Sequence, residues 1–209
     1  KLFQSDGLPT WEGQTLAPPP TVTQRSEEWD PIEAPRSGVS FSIQGPPGTA
    51  KTTLAHRCIE AASERRHVCA ISYTNCAVAT LEPDDGDSDA EDERALQRVR
   101  YMTADKVIKR VLHNNRLQTP CCILWDEIFY CSANMLARMS KVQIYDDVQI
   151  IGCGDPRQLQ APRCHWKGQP VDDILEGSQL LACMCPTEYT LTVGRRNDPV
   201  LQAYTDRIW

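Results

Sequence analysis

The sequence predicts an α/β domain in which a mainly parallel sheet carries helices on both faces. Short segments such as "CCILWDE" (121–127) and "VQIIGC" (148–153) are apolar almost throughout, which is typical of strands buried on both faces of a sheet. Longer segments, whose apolar residues recur with helical spacing, lie between these strands. Such an alternation gives parallel strands that are joined by helical crossovers.

Four elements are predicted in the first part of the domain. They are, in order, a strand at 39–44, a helix at 51–65, a strand at 67–73 and a short helix at 77–81. The strands are predicted from their apolar and β-branched residues. The longer helix is predicted because Leu54, Cys58 and Ala62 share one face. The short helix is expected to end before Pro83.

The second part of the domain continues this alternation. Its predicted elements are, in order, a strand at 98–102, a helix at 104–113, a strand at 121–127, a helix at 132–142, strands at 148–153 and 188–193, and a terminal helix from 198. The helix at 104–113 has an apolar stripe that includes Val107 and Val111. The terminal helix is predicted from Asp198 as its N-cap and Pro199 at its first position.

Residues 1–38 differ from the rest of the chain. They are rich in proline, with "APPP" at 17–20, and show no helical or strand period. An extended lead-in is therefore predicted, and the alternative is a linker. The chain starts with Lys1 rather than Met and stops at Trp209 inside a predicted helix. We expect it to be a segment of a longer protein.

An acidic segment follows the short helix. Residues 82–93 contain eight acidic residues and no basic one, so a solvated, flexible insert is predicted over 82–98. The alternative is a binding segment for a partner. The net charge of −6 argues against a general polyanion binder. Much of this negative charge is local, so basic residues elsewhere could still line a groove.

The ten cysteines are expected to be free thiols in a reducing, intracellular compartment, either cytoplasm or nucleus. Cys58, Cys69, Cys76 and Cys153 stand singly in apolar runs, which predicts burial. The pairs at 121–122 and 183–185 lack partners at zinc-ribbon spacing. No run of 18 apolar residues occurs, so no membrane span is expected.

The loop between the first strand and the first long helix is a candidate phosphate-binding loop. Its backbone N–H groups and the helix N-terminus would favour an anion, Lys51 could reach the β- and γ-phosphates, and the Thr52 hydroxyl could bind Mg²⁺. Ala50 replaces the last glycine of the usual pattern, which is tolerable if its backbone is helical and strained if its φ is positive. The alternative is an ordinary glycine turn. The candidate residues are Gly45, Pro46, Pro47, Gly48, Thr49, Ala50, Lys51, Thr52 and Thr53.

Two carboxylates follow the buried strand "CCILW". Asp126 is a candidate ligand of Mg²⁺, directly or through water, and Glu127 could polarise an attacking water. The alternative is a pair of surface acids that close a strand. Together with the loop, these residues predict nucleotide hydrolysis.

Six motifs occur in the order of the motifs of superfamily 1 helicases, and they cover about residues 39–200. They are "GPPGTAKTT", "AISYTNCAVATL", "YMTADKVI", "ILWDEIF", "IGCGDPRQLQAP" and "LTVGRRNDP". The chain thus resembles the first RecA-like motor domain of that family. The resemblance implies a RecA-like P-loop NTPase domain over 39–190 and the start of a second RecA-like domain over 191–209. The variant motifs and the many cysteines suggest a viral replication protein.

The resemblance assigns further roles at the nucleotide. Gln158 is similar to the family's residue that senses the γ-phosphate, and Asp155 would support it. Arg196 resembles the arginine that reaches the γ-phosphate from the second domain, although the adjacent Arg195 leaves the register open. Gln24 is the candidate for the family's adenine-reading glutamine.

The resemblance also implies a nucleic-acid site. Tyr73, Thr74 and Asn75 are similar to the family's strand-binding segment, and Thr103 to a second contact. The polar residues that follow the predicted strand could bind sugar and phosphate, and the Tyr73 ring could stack on a base. The alternative for Tyr73 is a core position. Cys76 stands where many relatives carry a basic residue, so one phosphate contact would be missing.

Three hypotheses follow. The first is the motor domain of an ATP-dependent helicase that uses ATP or another NTP with Mg²⁺ and binds single-stranded DNA or RNA. It would work with the second RecA-like domain of the same protein, and other replication proteins are candidate partners. The segment alone would hydrolyse nucleotide weakly. The second is another P-loop ATPase of the AAA+ type, and the third is a non-catalytic scaffold in a replication complex.

Overall fold

The computed structural model describes the chain at residues 23–24, 30–82, 98–112, 117, 119–143, 148–158, 165–166, 169–170 and 179–192. The strands, in chain order, are β1 (Thr23–Gln24), β2 (Phe41–Gln44), β3 (His67–Ser72), β4 (Val99–Thr103), β5 (Cys121–Trp125), β6 (Val148–Gly154), β7 (His165–Trp166), β8 (Gln169–Pro170) and β9 (Thr187–Thr190). The helices are α1 (Glu33–Ser37), α2 (Lys51–Ser63), α3 (Asn75–Ala79), α4 (Ala104–Leu112), α5 (Ala133–Gln143) and α6 (Gln179–Met184), and a 3₁₀ turn spans Ile128–Tyr130.

Seven of the described strands form one parallel sheet. Their order is β1-β9-β2-β6-β5-β3-β4, and every neighbouring pair is parallel. Strands β7 and β8 form a separate antiparallel pair. Because the seven strands point the same way, their carboxyl ends lie along one edge of the sheet, which is where such folds bind ligands.

Two apolar cores, one on each face, hold helices against the sheet. Alternate residues of β5 enter different cores, so that Trp125 packs on one face and Leu124 on the other. The Trp125 core receives α4, α5 and α6, and the Leu124 core receives α1 and α2. Strands that are apolar on both sides are therefore required here. The predicted α/β fold, with a mainly parallel sheet between helices, is confirmed.

The predicted elements within the described residues are present, with boundaries that shift by a few residues. The short helix expected at 77–81 begins at Asn75, because Thr74 caps it: the Thr74 hydroxyl oxygen accepts a bond from the Ala77 N–H at 3.1 Å. The terminal helix and most of the acidic insert lie outside the described residues.

The prediction that residues 1–38 are extended is wrong for Glu33–Ser37, which is helical. Asp30 starts this segment, since its side chain accepts a bond from the Ile32 N–H at 2.8 Å. Pro35 is tolerated because the first turn of a helix does not use its N–H groups. Ala34 is buried in the core with α2, and that packing makes this short helix stable.

The prediction of buried cysteines is also wrong in part. Nine cysteines are described, all as free thiols, but Cys76 and Cys183 are exposed. Cys76 lies in α3, whose buried residue is Val78. Burial raises the pKa of Cys58 and Cys185 to about 12, which keeps them as neutral thiols.

No described helix has both the length and the apolar character to cross a membrane.

Candidate functional site

The loop that joins β2 to α2 lies at the carboxyl edge of the sheet. Thr49 is buried inside the loop, and its hydroxyl donates to the Pro46 carbonyl at 2.8 Å. Gly48 has a φ of 80°, in the left-handed region that favours glycine. These features make a tight turn that ends at Lys51, the first residue of α2.

The Lys51 side chain folds back over this turn. The Nζ atom donates to the Gly45 carbonyl at 2.8 Å and to the Pro46 carbonyl at 3.0 Å. Thr52 and Thr53 follow in the first turn of α2. The ammonium therefore lies beside the loop and the N-terminus of the helix, where an anion would meet both the positive charge and the helix dipole.

Ala50 stands where the usual loop pattern has its last glycine. Its φ is 66° and its ψ is 30°, so it is left-handed and not helical. An L-residue in this conformation costs about 1–2 kcal/mol, because Cβ approaches the following carbonyl oxygen. The alanine in place of the usual glycine thus stores strain next to the predicted phosphate site.

Replacing Ala50 by glycine is expected to raise the free energy of unfolding by about 0.5–1 kcal/mol, after the entropy of the unfolded glycine offsets part of the relief. Urea unfolding of the two proteins measures this difference. Ala137→Gly is the matched control, because Ala137 is exposed within α5 and glycine in a helix costs about 1 kcal/mol. A loss of stability in both variants would contradict the left-handed assignment of Ala50.

Asp126 and Glu127 follow β5 directly. The Asp126 N–H donates to the Ile71 carbonyl of β3 at 2.8 Å, and the Asp126 side chain is largely buried. Glu127 has a φ of 53°, again left-handed, and starts the 3₁₀ turn. This turn redirects the chain at the edge of the sheet and holds the two carboxyls there.

Asp155 follows β6, the neighbour of both β2 and β5. The residue is 1% exposed, and its Oδ1 accepts a bond from the Arg157 N–H at 2.9 Å. Oδ2 has no hydrogen-bond partner among the described residues. Gln158 is exposed, and its backbone N–H donates to the Asp155 carbonyl at 3.2 Å.

The three carboxyls and Lys51 share one electrostatic environment. Burial raises the pKa values of Asp126, Glu127 and Asp155, and the Lys51 ammonium offsets part of each rise. The Asp126 carboxylate raises the pKa of Glu127 further. Strands β2, β6 and β5 are neighbours in the sheet, so the loop before α2 and the residues that follow β5 and β6 lie side by side at its carboxyl edge.

Three glycines allow these segments to approach, a role that their motifs alone do not reveal. A Cβ on Gly154 would lie 2.8 Å from Cδ2 of Phe129, and one on Gly152 would lie 2.9 Å from Cδ1 of Ile128. A Cβ on Gly45 would lie 2.7 Å from the Leu191 carbonyl oxygen. The signal in the sequence was the pair of glycines inside the strand "VQIIGCG", since glycine within a strand often marks a close approach.

Leu191 ties the end of β9 to the loop. Its N–H donates to the Gln44 carbonyl at 2.7 Å, immediately before Gly45. Arg196, which was predicted to reach the nucleotide, lies outside the described residues, and so does the alternative Arg195. Gln24 lies in β1, which pairs with β9 at the far side of the sheet from β4.

The predicted nucleic-acid residues lie at the same edge, at the β3–β4 side. Tyr73 is half-buried, whereas Thr74 and Asn75 are exposed. Thr103 ends β4 and pairs in register with Ser72. The Thr74 oxygen accepts the capping bond of α3, so its hydroxyl hydrogen stays available to donate to a phosphate.

Among the described residues, no three or more His, Cys, Asp or Glu side chains form a cage for a metal ion. The predicted magnesium site at Thr52 and Asp126 does not need one, because Mg²⁺ in nucleotide sites takes one or two protein ligands together with phosphate oxygens and waters. The donor types at this edge therefore fit magnesium bound together with a nucleotide.

The fold and this site define a phosphate-loop α/β domain of the RecA-like type. Residues 35–183, well over half of the chain, match the family model described as "AAA domain". The chain therefore belongs to the AAA domain family. No curated protein sequence matches the chain significantly.

Solved structures of similar fold include Pif1 helicases. The crystal structure of Pif1 helicase from Candida albicans is 20% identical with a TM-score of 0.56, over 84% of this chain and 40% of that one. A structure described as the basis for DNA unwinding at forked duplex DNA by two coordinating Pif1 helicases is 13% identical with a TM-score of 0.49, over 86% of this chain and 47% of that one. The chain thus spans less than half of either helicase.

Proposed function

We propose that this chain is the first motor domain of a nucleic-acid-dependent ATPase and helicase of superfamily 1. The observation that supports the proposal most is that Lys51 and the carboxyls of Asp126, Glu127 and Asp155 follow the neighbouring strands β2, β5 and β6 at one edge of the sheet. The likeness in fold to a Pif1 helicase supports it. Unwinding would require the second RecA-like domain, since motors of this kind work by closure of two lobes.

The loop residues of this chain would bind the triphosphate. The N–H groups that lead into α2 would cradle phosphate oxygens, and Lys51 would exchange its carbonyl partners for the β- and γ-phosphates. Thr52 and Asp126 would hold Mg²⁺, which supplies charge neutralisation for phosphoryl transfer.

Glu127 would accept a proton from the attacking water. Burial and the adjacent Asp126 raise its pKa, which makes its carboxylate a better proton acceptor than an exposed glutamate. Gln158, exposed beside Asp155, would contact the γ-phosphate. Arg196 would reach the γ-phosphate from the second RecA-like domain. Leu191, which precedes it in the chain, bonds to Gln44 next to the loop.

The tips of β3 and β4 would bind a single strand of DNA or RNA. Thr74, Asn75 and Thr103 would donate to sugar and phosphate, and Tyr73 would stack on a base. These residues lie at the same sheet edge as the nucleotide site, separated from the loop by β6 and β5. The binding of nucleotide and the binding of nucleic acid would therefore influence each other through β5 and β3.

An AAA+ ATPase is the second candidate, because the matching family is described as an AAA domain. Such an enzyme would carry a polar sensor, usually asparagine, at the end of β6 and would not depend on nucleic acid. This chain has Asp155 and Gln158 there, which favours the helicase proposal.

The test is ATP hydrolysis by the full-length protein with and without a single-stranded oligonucleotide, either oligothymidine or oligouridine. The helicase proposal expects hydrolysis that rises with the strand. Hydrolysis that ignores both strands would support an AAA+ type of ATPase. No hydrolysis under either condition would support a non-catalytic scaffold lobe.

A further inference from the structure

Two tyrosines touch at the edge of the sheet, one after β3 and one after β5. The ring centroids of Tyr73 and Tyr130 are 5.1 Å apart, and the ring planes make an angle of 77°. This edge-to-face arrangement is a favourable geometry for aromatic rings. Both side chains are half-buried, so each ring has one part in the protein and another in solvent.

Tyr130 belongs to the turn that starts at Glu127. Its N–H donates to the Glu127 carbonyl at 2.9 Å, and Glu127 itself has the left-handed φ of 53°. The two residues between them, Ile128 and Phe129, are buried. The turn is therefore anchored in the core, and Tyr130 is its end toward the solvent.

Tyr73 belongs to the predicted strand-binding tip. It directly precedes Thr74 and Asn75, both exposed. Two further bonds join the same strand ends: the Asp126 N–H donates to the Ile71 carbonyl at 2.8 Å, and the Ser72 hydroxyl donates weakly to the Asp126 carbonyl at 3.4 Å. The ring contact continues this connection past Asp126 to the turn that carries Glu127.

We propose that Tyr130 is a positioning residue that couples occupation of the nucleic-acid site at Tyr73 to the orientation of Glu127. This inference rests on the proposed function. A base that stacks on Tyr73 fixes the orientation of that ring, and the ring contact passes this restraint to Tyr130. The Tyr130 backbone, bonded to the Glu127 carbonyl, then favours one conformation of the left-handed turn.

Through this coupling, a bound nucleic-acid strand would affect the orientation of Glu127 without contacting the nucleotide. It predicts that strand-stimulated hydrolysis depends on an aromatic ring at residue 130, whereas strand affinity depends mainly on Tyr73 and its polar neighbours. A purely structural role for Tyr130 predicts loss of stability without this separation.

The test compares Tyr130→Leu, which keeps an apolar side chain but removes the ring, with Tyr130→Phe, which keeps the ring. For each full-length protein, the ratio of stimulated to basal kcat is measured at saturating oligothymidine or oligouridine, and strand affinity is measured by fluorescence anisotropy. Tyr130→Leu is expected to lower the ratio about twofold to tenfold, the range of an aromatic pair, with a smaller change in affinity. Tyr130→Phe is expected to keep the ratio.

The double variant Tyr73→Leu/Tyr130→Leu completes a cycle. If the pair transmits the signal, the double variant loses no more of the stimulation ratio than Tyr73→Leu alone. If thermal unfolding shows that Tyr130→Leu is poorly folded, Tyr130→Met takes its place, with the same expected loss.

Additive losses, or a normal ratio in the leucine variant, would overturn the coupling while leaving the helicase proposal intact. A wild-type protein whose hydrolysis no strand stimulates would instead overturn the helicase proposal, and the coupling with it. The two failures are therefore distinct.

Discussion

Lys51→Ala is expected to lower nucleotide hydrolysis by about 10²–10³-fold, the usual cost of removing one preorganised donor to a developing charge. The Lys51 ammonium lies against the loop and donates hydrogen bonds to the carbonyls of Gly45 and Pro46. Without it, the loop keeps its N–H groups but loses the positive charge that would meet the β- and γ-phosphates. Steady-state ATPase assays of the full-length protein measure the loss.

Nucleotide binding provides a second measurement for the same variant. A ligand at 100 times its Kd stabilises a protein by about 2.7 kcal/mol, and this gain in the thermal unfolding of the wild type should shrink in Lys51→Ala. Lys141→Ala is the matched control, since Lys141 is exposed in α5, just before β6 and so at the opposite edge of the sheet. Retained hydrolysis in Lys51→Ala would refute the assignment of the phosphate loop.

The sheet and most of its helices could be predicted from the sequence because burial on both faces leaves a strong pattern. Strands β5 and β6 are buried at every residue, and their sequences are apolar for that reason. The place of Asp126 followed from the same pattern, since a charged residue after a buried strand must lie at its end. Lys51 followed from the loop between a strand and a helix.

The local backbone could not be predicted from the same pattern. Ala50 has a left-handed backbone although alanine favours a helix, because the loop and not the residue sets its φ. The helix Glu33–Ser37 is short and contains proline, and its stability comes from packing against α2. Such features depend on tertiary contacts, which intrinsic propensities do not contain.

Contacts between distant segments were likewise hidden. Gly154 and Phe129 approach closely, and Tyr73 and Tyr130 meet edge to face, although both pairs are far apart in the chain. The order of strands places β3 beside β5 and β5 beside β6, and only that order brings these residues together. The sequence indicated which residues lie at strand ends, whereas the topology determined which ends are neighbours.

Glu127→Gln is expected to lower kcat by about 10²–10⁴-fold, the usual contribution of a general base, because an amide cannot accept the proton of the attacking water. Nucleotide affinity should change far less, since Lys51 and the loop remain. Glu60→Gln is the control: Glu60 is exposed in α2 and loses the same charge at a distance from the site.

The pH dependence of kcat gives a sharper test of the same residue. Burial, followed by the nearby Asp126 carboxylate, raises the pKa of Glu127, so the active carboxylate form is lost as the pH falls through this raised value. The wild-type rate should therefore decline on the acid side at a higher pH than an exposed glutamate would give. In Glu127→Gln this acid limb should disappear from the residual rate. An unchanged limb in that variant would assign the proton acceptor to another group at the site.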